Sequence, residues 1–182
     1  MIEVWRDIPG YEGYYQASNL GNIKSLDRIV MQKNRWGTKT RTIRKGRILK
    51  PIKTNGGYLR VTLAVGENRE LIRIHALVIL TFKGERPEHQ LVRHLDGNPK
   101  NNNFKNLAYG TPRDNVIDIY RCGGINGALN IGQVLEIRNL LKQGFECSVI
   151  AKKYGVCKSG ISMIKRRKSF DWLGDDGVIC ES

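Results

Sequence analysis

The sequence predicts an α+β protein built from small modules in a row, and three features indicate this fold class. Apolar and polar residues alternate over residues 56–74, as they do in half-buried antiparallel strands. Residues 121–130 are rich in glycine and lack periodicity, which is typical of a linker. Beyond them, residues 131–167 carry apolar side chains at helical spacing. We therefore expect an elongated chain with its sheets first and a helical domain last.

The first predicted module, residues 1–55, is a small antiparallel sheet that continues into a basic ribbon. Apolar anchors such as Trp5, Tyr15 and Ile23 are separated by turn signals such as Pro9-Gly10, which is typical of short strands over a thin core. Nothing in this sheet indicates a catalytic role, and its aromatic residues are expected to fill the core.

The stretch 28–53 is the most basic part of the chain, with ten lysine and arginine residues and no acid. Such a run is usually a solvated face, but its charges repel one another unless a polyanion neutralises them, which favours binding to phosphates. Trp36-Gly37 predicts a turn and residues 38–43 a strand, so the run is expected to form a two-stranded ribbon whose width fits the DNA major groove. The predicted DNA contacts in the ribbon are Arg35, Lys39, Arg41, Arg44, Lys45 and Arg47.

The second predicted module, residues 56–120, begins with a strand, a turn and a returning strand. Leu59, Val61 and Leu63 share one side of the first strand, which predicts that this side is buried. Residues 75–82 are apolar and are expected to form a short helix. His75 opens this helix, and we assign it a structural role beside the site, with contact to a ligand or phosphate as the alternative.

A strand, a polar loop, a second strand and a helix are predicted within residues 90–118. The loop at 95–105 is too rich in Asn, Gly and Pro to be regular structure. The residues before and at the start of this helix are typical of a helix N-terminus: Thr111 can cap it, Pro112 suits its first position, and Asp114 lies in the first turn.

Three side chains of this unit could converge on one small site, and the residues around them resemble the HNH nuclease motif in the form found in phage-encoded homing endonucleases. The N-terminal tryptophan, tyrosines and glycines also resemble the module that precedes HNH domains in those endonucleases. The residues that match the HNH motif are His94, Asp96-Gly97-Asn98, Asn101-Asn102, Asn106-Leu107, Gly110-Thr111 and Asn115.

The resemblance implies a ββα unit in which two antiparallel strands and a helix hold one divalent metal ion. It implies that His94 is the general base, that Asn106 holds the loop and the histidine in place, and that Asn115 is a metal ligand. A metal ion that neutralises phosphate and an imidazole with a near-neutral pKa suit phosphodiester hydrolysis. The expected cofactor is one Mg²⁺ or Mn²⁺ ion. No structural zinc is expected, because the four cysteines form no CxxC pair.

Arg93 departs from the resemblance, which implies Asp, Asn or His as a metal ligand before the catalytic histidine. A guanidinium cannot coordinate a cation. Either the ion is held differently, or the site is weakened, or Arg93 contacts phosphate. Asp118 lies three residues after Asn115 on the same helix face, so we predict it as a substitute or additional ligand, with an ordinary solvated aspartate as the alternative.

The last predicted module, residues 131–170, matches the pattern of a helix-turn-helix. Ala151 lets two helices cross closely, Gly155 makes the turn, and Ile161 locks the second helix. A three-helix bundle that packs elsewhere is the alternative. Residues 171–182 are acidic and are expected to be a loosely held tail. The predicted DNA contacts in this module are Lys158, Ser159, Ser162, Lys165, Arg166 and Arg167.

The net charge of +14 indicates a polyanionic partner, most simply nucleic acid. No window is apolar enough for a membrane span, and the N-terminus lacks the basic and apolar regions of a signal peptide. We therefore expect an intracellular protein with no membrane partner, located in the cytoplasm of a bacterial host if a phage encodes it.

The expected function is that of a site-specific homing-type DNA endonuclease. It would act as a monomer on double-stranded DNA with a long recognition site and nick one strand. The alternative is a DNA-binding regulator whose HNH site has degenerated, with Arg93 as the sign of that loss. A third possibility, a basic RNA- or ribosome-binding protein, explains the charge but not the spacing of residues around His94.

Overall fold

A computed structural model of the chain describes residues 2–33, 35–122 and 129–180. The chain divides into two compact units, Met1–Asn115 and Val116–Ser182. Most of the linker predicted at 121–130 falls on residues 123–128, outside the described residues. Within the described part of the chain, no helix is both long and apolar enough to cross a membrane.

The first unit is made mainly of short antiparallel strands, as the alternating pattern predicted. One three-stranded sheet has the order β1-β2-β3 and another the order β6-β7-β8, while β4 and β5 form a separate two-stranded ribbon. The strands are β1 (Trp5–Asp7), β2 (Tyr15–Ser18), β3 (Ile23–Ser25), β4 (Arg28–Lys33), β5 (Lys39–Arg44), β6 (Ile52–Lys53), β7 (Leu59–Val65) and β8 (Asn68–Arg73).

The remainder of the first unit is the short apolar helix, the predicted strand, loop and strand, and the first residues of the predicted helix, which continues into the second unit from Val116. Strands β9 and β10 pair antiparallel, with His94 opposite Leu107 and Leu91 opposite Gly110. A 3₁₀ turn, Phe104–Asn106, leads from the loop into β10. The elements are α1 (Ile74–Lys83), β9 (Leu91–His94), β10 (Leu107–Gly110) and α2 (Pro112–Arg121).

The two modules that the sequence separated at residue 55 share a single core. Ile8 and Ala17 of the N-terminal sheet are fully buried in the same cluster as Val78 of α1 and Leu107 of β10. The predicted boundary at residue 55 therefore separates two stretches of chain that pack around one core. Each sheet is too thin to bury its apolar face alone, and burial of that face requires the helix and strands of the other module.

Beyond the end of α2, the described residues of the second unit form three helices: α3 (Ile131–Lys142), α4 (Cys147–Tyr154) and α5 (Lys158–Lys165). Asn130 and Gln133 form a capping box at the start of α3, since each side chain accepts a hydrogen bond from the other residue's backbone N–H. Gly155 ends α4 in the left-handed conformation with φ of 66°. Ala151, predicted to let two helices cross closely, and Ile161, predicted to lock the second helix, are both buried.

The prediction of a loosely held tail after residue 170 is wrong for residues 171–180. Trp172 and Leu173 are 4% and 0% exposed and belong to the core of the second unit. The buried Arg138 guanidinium donates hydrogen bonds to the carbonyl oxygens of Leu173 at 2.6 Å and Phe170 at 2.7 Å. The acidic composition misled the prediction, because Asp175 is an ion-pair partner of Arg138 at 3.5 Å.

Candidate active site

His94 lies at the end of β9, where the strand gives way to the polar loop. Val92 and His94 point to the core side of the strand, and His94 is 7% exposed. The backbone N–H of Leu95 donates to the carbonyl oxygen of Asn106 at 2.9 Å, which closes the loop just beyond the histidine. The hairpin therefore fixes the backbone on both sides of the ring.

The loop itself is held by a hydrogen-bond network centred on Asn106. The Asn106 Nδ2 group donates to Asp96 Oδ1 at 2.8 Å and to the carbonyl oxygen of Asn101 at 2.9 Å. Its Oδ1 atom accepts from the backbone N–H of Asp96 at 3.0 Å. Asn101 donates to the other carboxylate oxygen of Asp96 at 2.7 Å. This network supports the predicted role of Asn106 in holding the loop.

The His94 ring is surrounded by aromatic and amide groups. Its centroid lies 5.1 Å from that of His75 and 5.9 Å from that of Tyr58. Its Nε2 atom lies 3.4 Å from Oδ1 of Asn102, a residue that is 4% exposed. Burial lowers the pKa of His94 below its usual range, against the opposing effects of the Asn102 hydrogen bond and the Asp96 charge. At neutral pH the ring is therefore uncharged and can accept a proton.

His75 is the second buried imidazole at this site, on α1. Burial lowers its pKa to about 4, with further lowering by His94 and Arg73. Its Nδ1 atom makes no hydrogen bond within the described residues, and its ring meets the half-buried Tyr58 ring edge-on at 5.3 Å. The structural role predicted for His75 is consistent with this position, in which the ring is a neutral packing partner of His94.

Arg93 lies on the other face of β9 from His94, because neighbouring side chains on a strand point to opposite faces. Its Nη1 atom is 3.3 Å from Oδ2 of Asp114, and its side chain is 15% exposed. A Cβ on Gly110 of the neighbouring strand β10 would lie 2.5 Å from Arg93 Cδ, so this glycine makes room for the arginine side chain. The side chain at position 93 is thus paired with the start of α2.

The start of α2 forms as the sequence predicted. Asp114 accepts from the backbone N–H and the hydroxyl of Thr111, both at 2.8 Å, and Thr111 Oγ1 accepts from the backbone N–H of Asp114 at 3.2 Å. These hydrogen bonds, led by that from the Thr111 backbone, hold the pKa of Asp114 below its ordinary value.

The two predicted metal ligands on α2 have different environments. Asn115 is half-buried in the first unit, and its carboxamide makes no hydrogen bond to the described residues, which leaves its oxygen available to a ligand. Asp118 belongs to the second unit; its side chain is 4% exposed and lies 3.7 Å from the Arg121 guanidinium.

HNH nucleases in general depend on a divalent metal ion. The described residues contain no group of three or more His, Cys, Asp or Glu side chains that could hold one. The Asn115 carboxamide oxygen fits an ion that keeps most of its water and takes its other ligands from substrate phosphate, as Mg²⁺ commonly does. Arg93 does not fit as a ligand.

Sequence reasoning missed two residues of this site. Asn102 belonged to the matching motif, but no role was assigned to it, because its neighbours Asn101 and Asn103 look the same in sequence. Tyr58 was assigned only to a strand. Neither its contact with His94 nor its contact with His75 has a local signal, since both contacts depend on how β7 and α1 pack.

The predicted DNA-contacting residues of the ribbon lie on an exposed element. Every residue of β5 is exposed, and Trp36 at the turn is 83% exposed. A cavity of 540 Å³ beside the ribbon is lined by five cationic side chains, which are Arg28, Arg44, Lys45, Arg47 and Arg69. Such a surface suits phosphate groups.

The residues of α5 and of the turn after it that were predicted to contact DNA also lie on the surface, but one of them already has an ion-pair partner. Lys158, Ser159, Lys165 and Arg166 are exposed and Ser162 is half-buried. Arg167 donates to Asp175 at 2.5 Å, so its charge already has a partner in the same unit.

Two family descriptions match the chain. Residues 73–117, which include β9, β10 and most of α2, match the HNH endonuclease family. Residues 3–64, which include the N-terminal sheet and the ribbon, match the NUMOD4 motif.

Individual relatives agree with these matches. The DNA endonuclease I-HmuI of Bacillus phage SP01 is 32% identical over 139 residues, which cover 76% of this chain and 68% of the relative. The uncharacterized HNH endonuclease L245 of Acanthamoeba polyphaga mimivirus is 28% identical over 125 residues, which cover 69% of this chain but only 38% of the relative. A solved structure of the HNH homing endonuclease I-HmuI, described as showing its DNA binding and cleavage, aligns with this chain with a TM-score of 0.50 and 25% identity. The alignment covers 88% of each chain.

A hairpin and helix that carry a buried, uncharged histidine next to an asparagine-held loop define an HNH-type nuclease site. The chain is 32% identical to I-HmuI over two thirds of that relative and shares its fold, and I-HmuI is an HNH homing endonuclease. This chain belongs to the HNH homing endonucleases.

Proposed function

We propose that this protein is a site-specific DNA endonuclease that hydrolyses one phosphodiester of double-stranded DNA and nicks one strand. The observation that carries the proposal is the buried imidazole of His94 at the end of β9, next to the loop that the Asn106 network holds; burial lowers the pKa of this ring. A general base must be deprotonated at the working pH and must be held in place, and the lowered pKa and the closed loop beside His94 favour both conditions.

His94 is the proposed general base. Its lowered pKa keeps one ring nitrogen free to accept a proton from the attacking water near neutral pH. Asn106 is proposed to hold the loop, because its three hydrogen bonds join Asp96 to Asn101 across it.

One divalent ion, Mg²⁺ or Mn²⁺, is the proposed cofactor, with the Asn115 carboxamide oxygen as its ligand from the first unit. When bound, the ion would neutralise charge on the scissile phosphate and on the leaving 3′ oxygen. Arg93 is proposed to contact a DNA phosphate through its guanidinium, which Asp114 holds at the start of α2.

The proposed substrate is a long stretch of duplex DNA bound by a single chain in the host cytoplasm. The ribbon supplies one cationic surface and α5 a second, and a monomer with two such surfaces can recognise a long site. One HNH site per chain makes a nick the simplest product.

The test uses a supercoiled plasmid that carries the DNA flanking the gene's own insertion site, incubated with purified protein and Mg²⁺. We expect nicked circles with one cleavage position, found by sequencing the ends. His94→Ala should reduce cleavage by at least about 100-fold while leaving the gel-shift affinity unchanged.

The rival function, a DNA-binding regulator with a degenerate site, has the Arg93 substitution in its favour. It predicts a gel shift with the same affinity for the wild type and His94→Ala, and no nicked circles with Mg²⁺ or Mn²⁺. If His94→Ala cleaves at the wild-type rate, His94 is not the general base, although the protein is still an endonuclease.

A further inference from the structure

The loop beyond His94 rests on a turn of the N-terminal sheet. The backbone N–H of Phe104 donates to the carbonyl oxygen of Asn19 at 3.0 Å. Two residues further on, Gly21 has φ of +95°, and a Cβ there would lie 2.8 Å from Asn102 Cβ and 2.9 Å from the Asn102 carbonyl carbon and oxygen. Only glycine permits this approach, because the backbone conformation is left-handed and no space remains for a side chain.

The turn that carries Gly21 is itself held firmly. The Asn19 side chain accepts from the backbone N–H of Val4 at 2.8 Å and donates to the carbonyl oxygen of Ile2 at 3.1 Å. Ser18 closes the turn, since its carbonyl oxygen accepts from the Gly21 N–H at 3.1 Å. The surface against which Asn102 lies is therefore rigid.

The Asn102 carboxamide has a defined orientation in this contact. Its Nδ2 group donates to the carbonyl oxygen of Lys100 at 3.4 Å, which leaves Oδ1 facing Nε2 of His94 at 3.4 Å. A carboxamide oxygen only accepts hydrogen bonds. The His94 nitrogen that faces it must therefore carry the proton, and Nδ1 is left with the free lone pair.

We propose that Asn102 is a positioning residue that holds His94 as the Nε2–H tautomer with Nδ1 as the base nitrogen, and that Gly21 of the N-terminal sheet holds Asn102 in place. The NUMOD4-matched segment thus completes the nuclease site in addition to the DNA contacts proposed for it. The inference deepens the proposed function and rests on His94 being the base.

The other groups that face the His94 ring do not supply this hydrogen bond. His75 on α1 and Tyr58 before β7 meet it through their rings, at centroid distances of 5.1 and 5.9 Å. Asp96 on its own loop acts through its charge, and its carboxylate accepts from Asn101 and Asn106. Arg73 at the end of β8 lies one ring further away, with its guanidinium 5.2 Å from the Tyr58 ring, and its charge lowers the pKa of His75.

The first test replaces the acceptor. Asn102→Leu removes it at similar volume, and Asn102→Asp replaces it with a carboxylate. An acceptor opposite Nε2–H favours the imidazolium, so the His94 pKa should fall in Asn102→Leu and rise in Asn102→Asp. We expect the acid limb of the kcat–pH profile to move in the same two directions, with KM for the plasmid unchanged.

Nuclear magnetic resonance of ¹⁵N-labelled histidine measures the same property without catalysis. Wild-type His94 should show a protonated Nε2 and an unprotonated Nδ1 at pH 7.5, and Asn102→Leu a mixture of tautomers. An Nδ1–H tautomer in the wild type, or the same pKa in all three proteins, would overturn the inference. If no protein cleaves DNA but the pKa values follow the expected order, the proposed function fails while the positioning role stands.

The second test addresses Gly21 with a matched control. Gly21→Ala should lower kcat by about 10- to 100-fold, the scale expected when a catalytic group is displaced. Gly13→Ala is the control, because Gly13 also has a positive φ of +73° but a Cβ there would meet nothing within 4 Å. Equal kcat losses in two folded variants would show that backbone strain alone is responsible and would refute the role of Gly21.

Discussion

The two buried histidines carry the same chemical group in different surroundings. Both rings have a lowered pKa, but only His94 faces an amide oxygen, on Asn102, and lies at the end of a strand beside the loop. His75 has an unpartnered Nδ1 among the described residues and a pKa of about 4. The motif identified His94 from sequence, whereas the environment of His75 depends on packing that no local pattern encodes.

The pKa of His75 predicts a loss of stability in acid. In the unfolded chain this histidine titrates near its ordinary value of 6.5, and in the folded protein near 4. The unfolded state therefore binds the proton first, and stability should fall as the pH drops from about 6.5 toward about 4. Urea midpoints of the wild type measured at pH 7.5 and 4.5 should differ by more than those of His75→Leu, and equal differences would contradict the assignment.

Asp118 was predicted as a metal ligand, but its burial and its ion pair with Arg121 favour a structural role. Asp118→Asn leaves the Arg121 charge without its carboxylate, and we expect a lower Tm with an unchanged Mg²⁺ requirement. A titration of cleavage rate against Mg²⁺ concentration decides between the roles. A markedly higher Mg²⁺ requirement in a variant of wild-type Tm would restore Asp118 as a ligand, and Asn115→Ala serves as the positive control.

At the scale of elements, strands and helices were predicted well where a local rule applied. The Thr111–Asp114 capping box and the alternation in β7 have signals inside a few residues, and both formed as expected. The short strand β6 was missed because it consists only of Ile52–Lys53 and pairs with β7. Its existence depends on a partner rather than on its own sequence.

The ribbon β4–β5 predicts a specific salt dependence of DNA binding. Arg41 lies on the fully exposed strand β5, so Arg41→Ala should remove one phosphate contact. The slope of log Kd against log salt concentration should then decrease by about one. Lys153→Ala removes the same charge from the second unit, where the lysine pairs with Glu136 at 2.8 Å, and should leave the slope unchanged. Identical slopes in all three proteins would exclude Arg41 from the interface.

The capping box of α3 predicts the stability of the second unit. The Asn130 side chain accepts from the backbone N–H of Gln133 at 2.9 Å. Asn130→Ala should lower the free energy of unfolding by about 1 kcal/mol, the usual cost of losing an N-cap. Chemical denaturation followed by tryptophan fluorescence, to which the buried Trp172 of this unit contributes, measures the change. An unaltered midpoint would contradict the stabilising role of the cap.

At the scale of the whole molecule, the sequence showed the order of the modules but not which of them fold together. Local patterns cannot show that Ile8 and Val78 share one core, because they are far apart in the chain and neither belongs to a longer periodic segment. The same limitation explains the error at the C-terminus, where Leu173 is buried although its neighbours in sequence are acidic.

The shared core predicts where the chain can be divided. A fragment of residues 56–122 should not fold, although it contains the whole HNH match, because its core side chains would lose fully buried partners such as Ile8 and Ala17. A fragment of residues 1–122 retains that core and should fold and nick plasmid DNA. It should bind more weakly and with less sequence preference than the full chain, since α5 is missing. Thermal unfolding followed by circular dichroism, together with the nicking assay, tests both fragments, and cooperative unfolding of 56–122 would refute the single core.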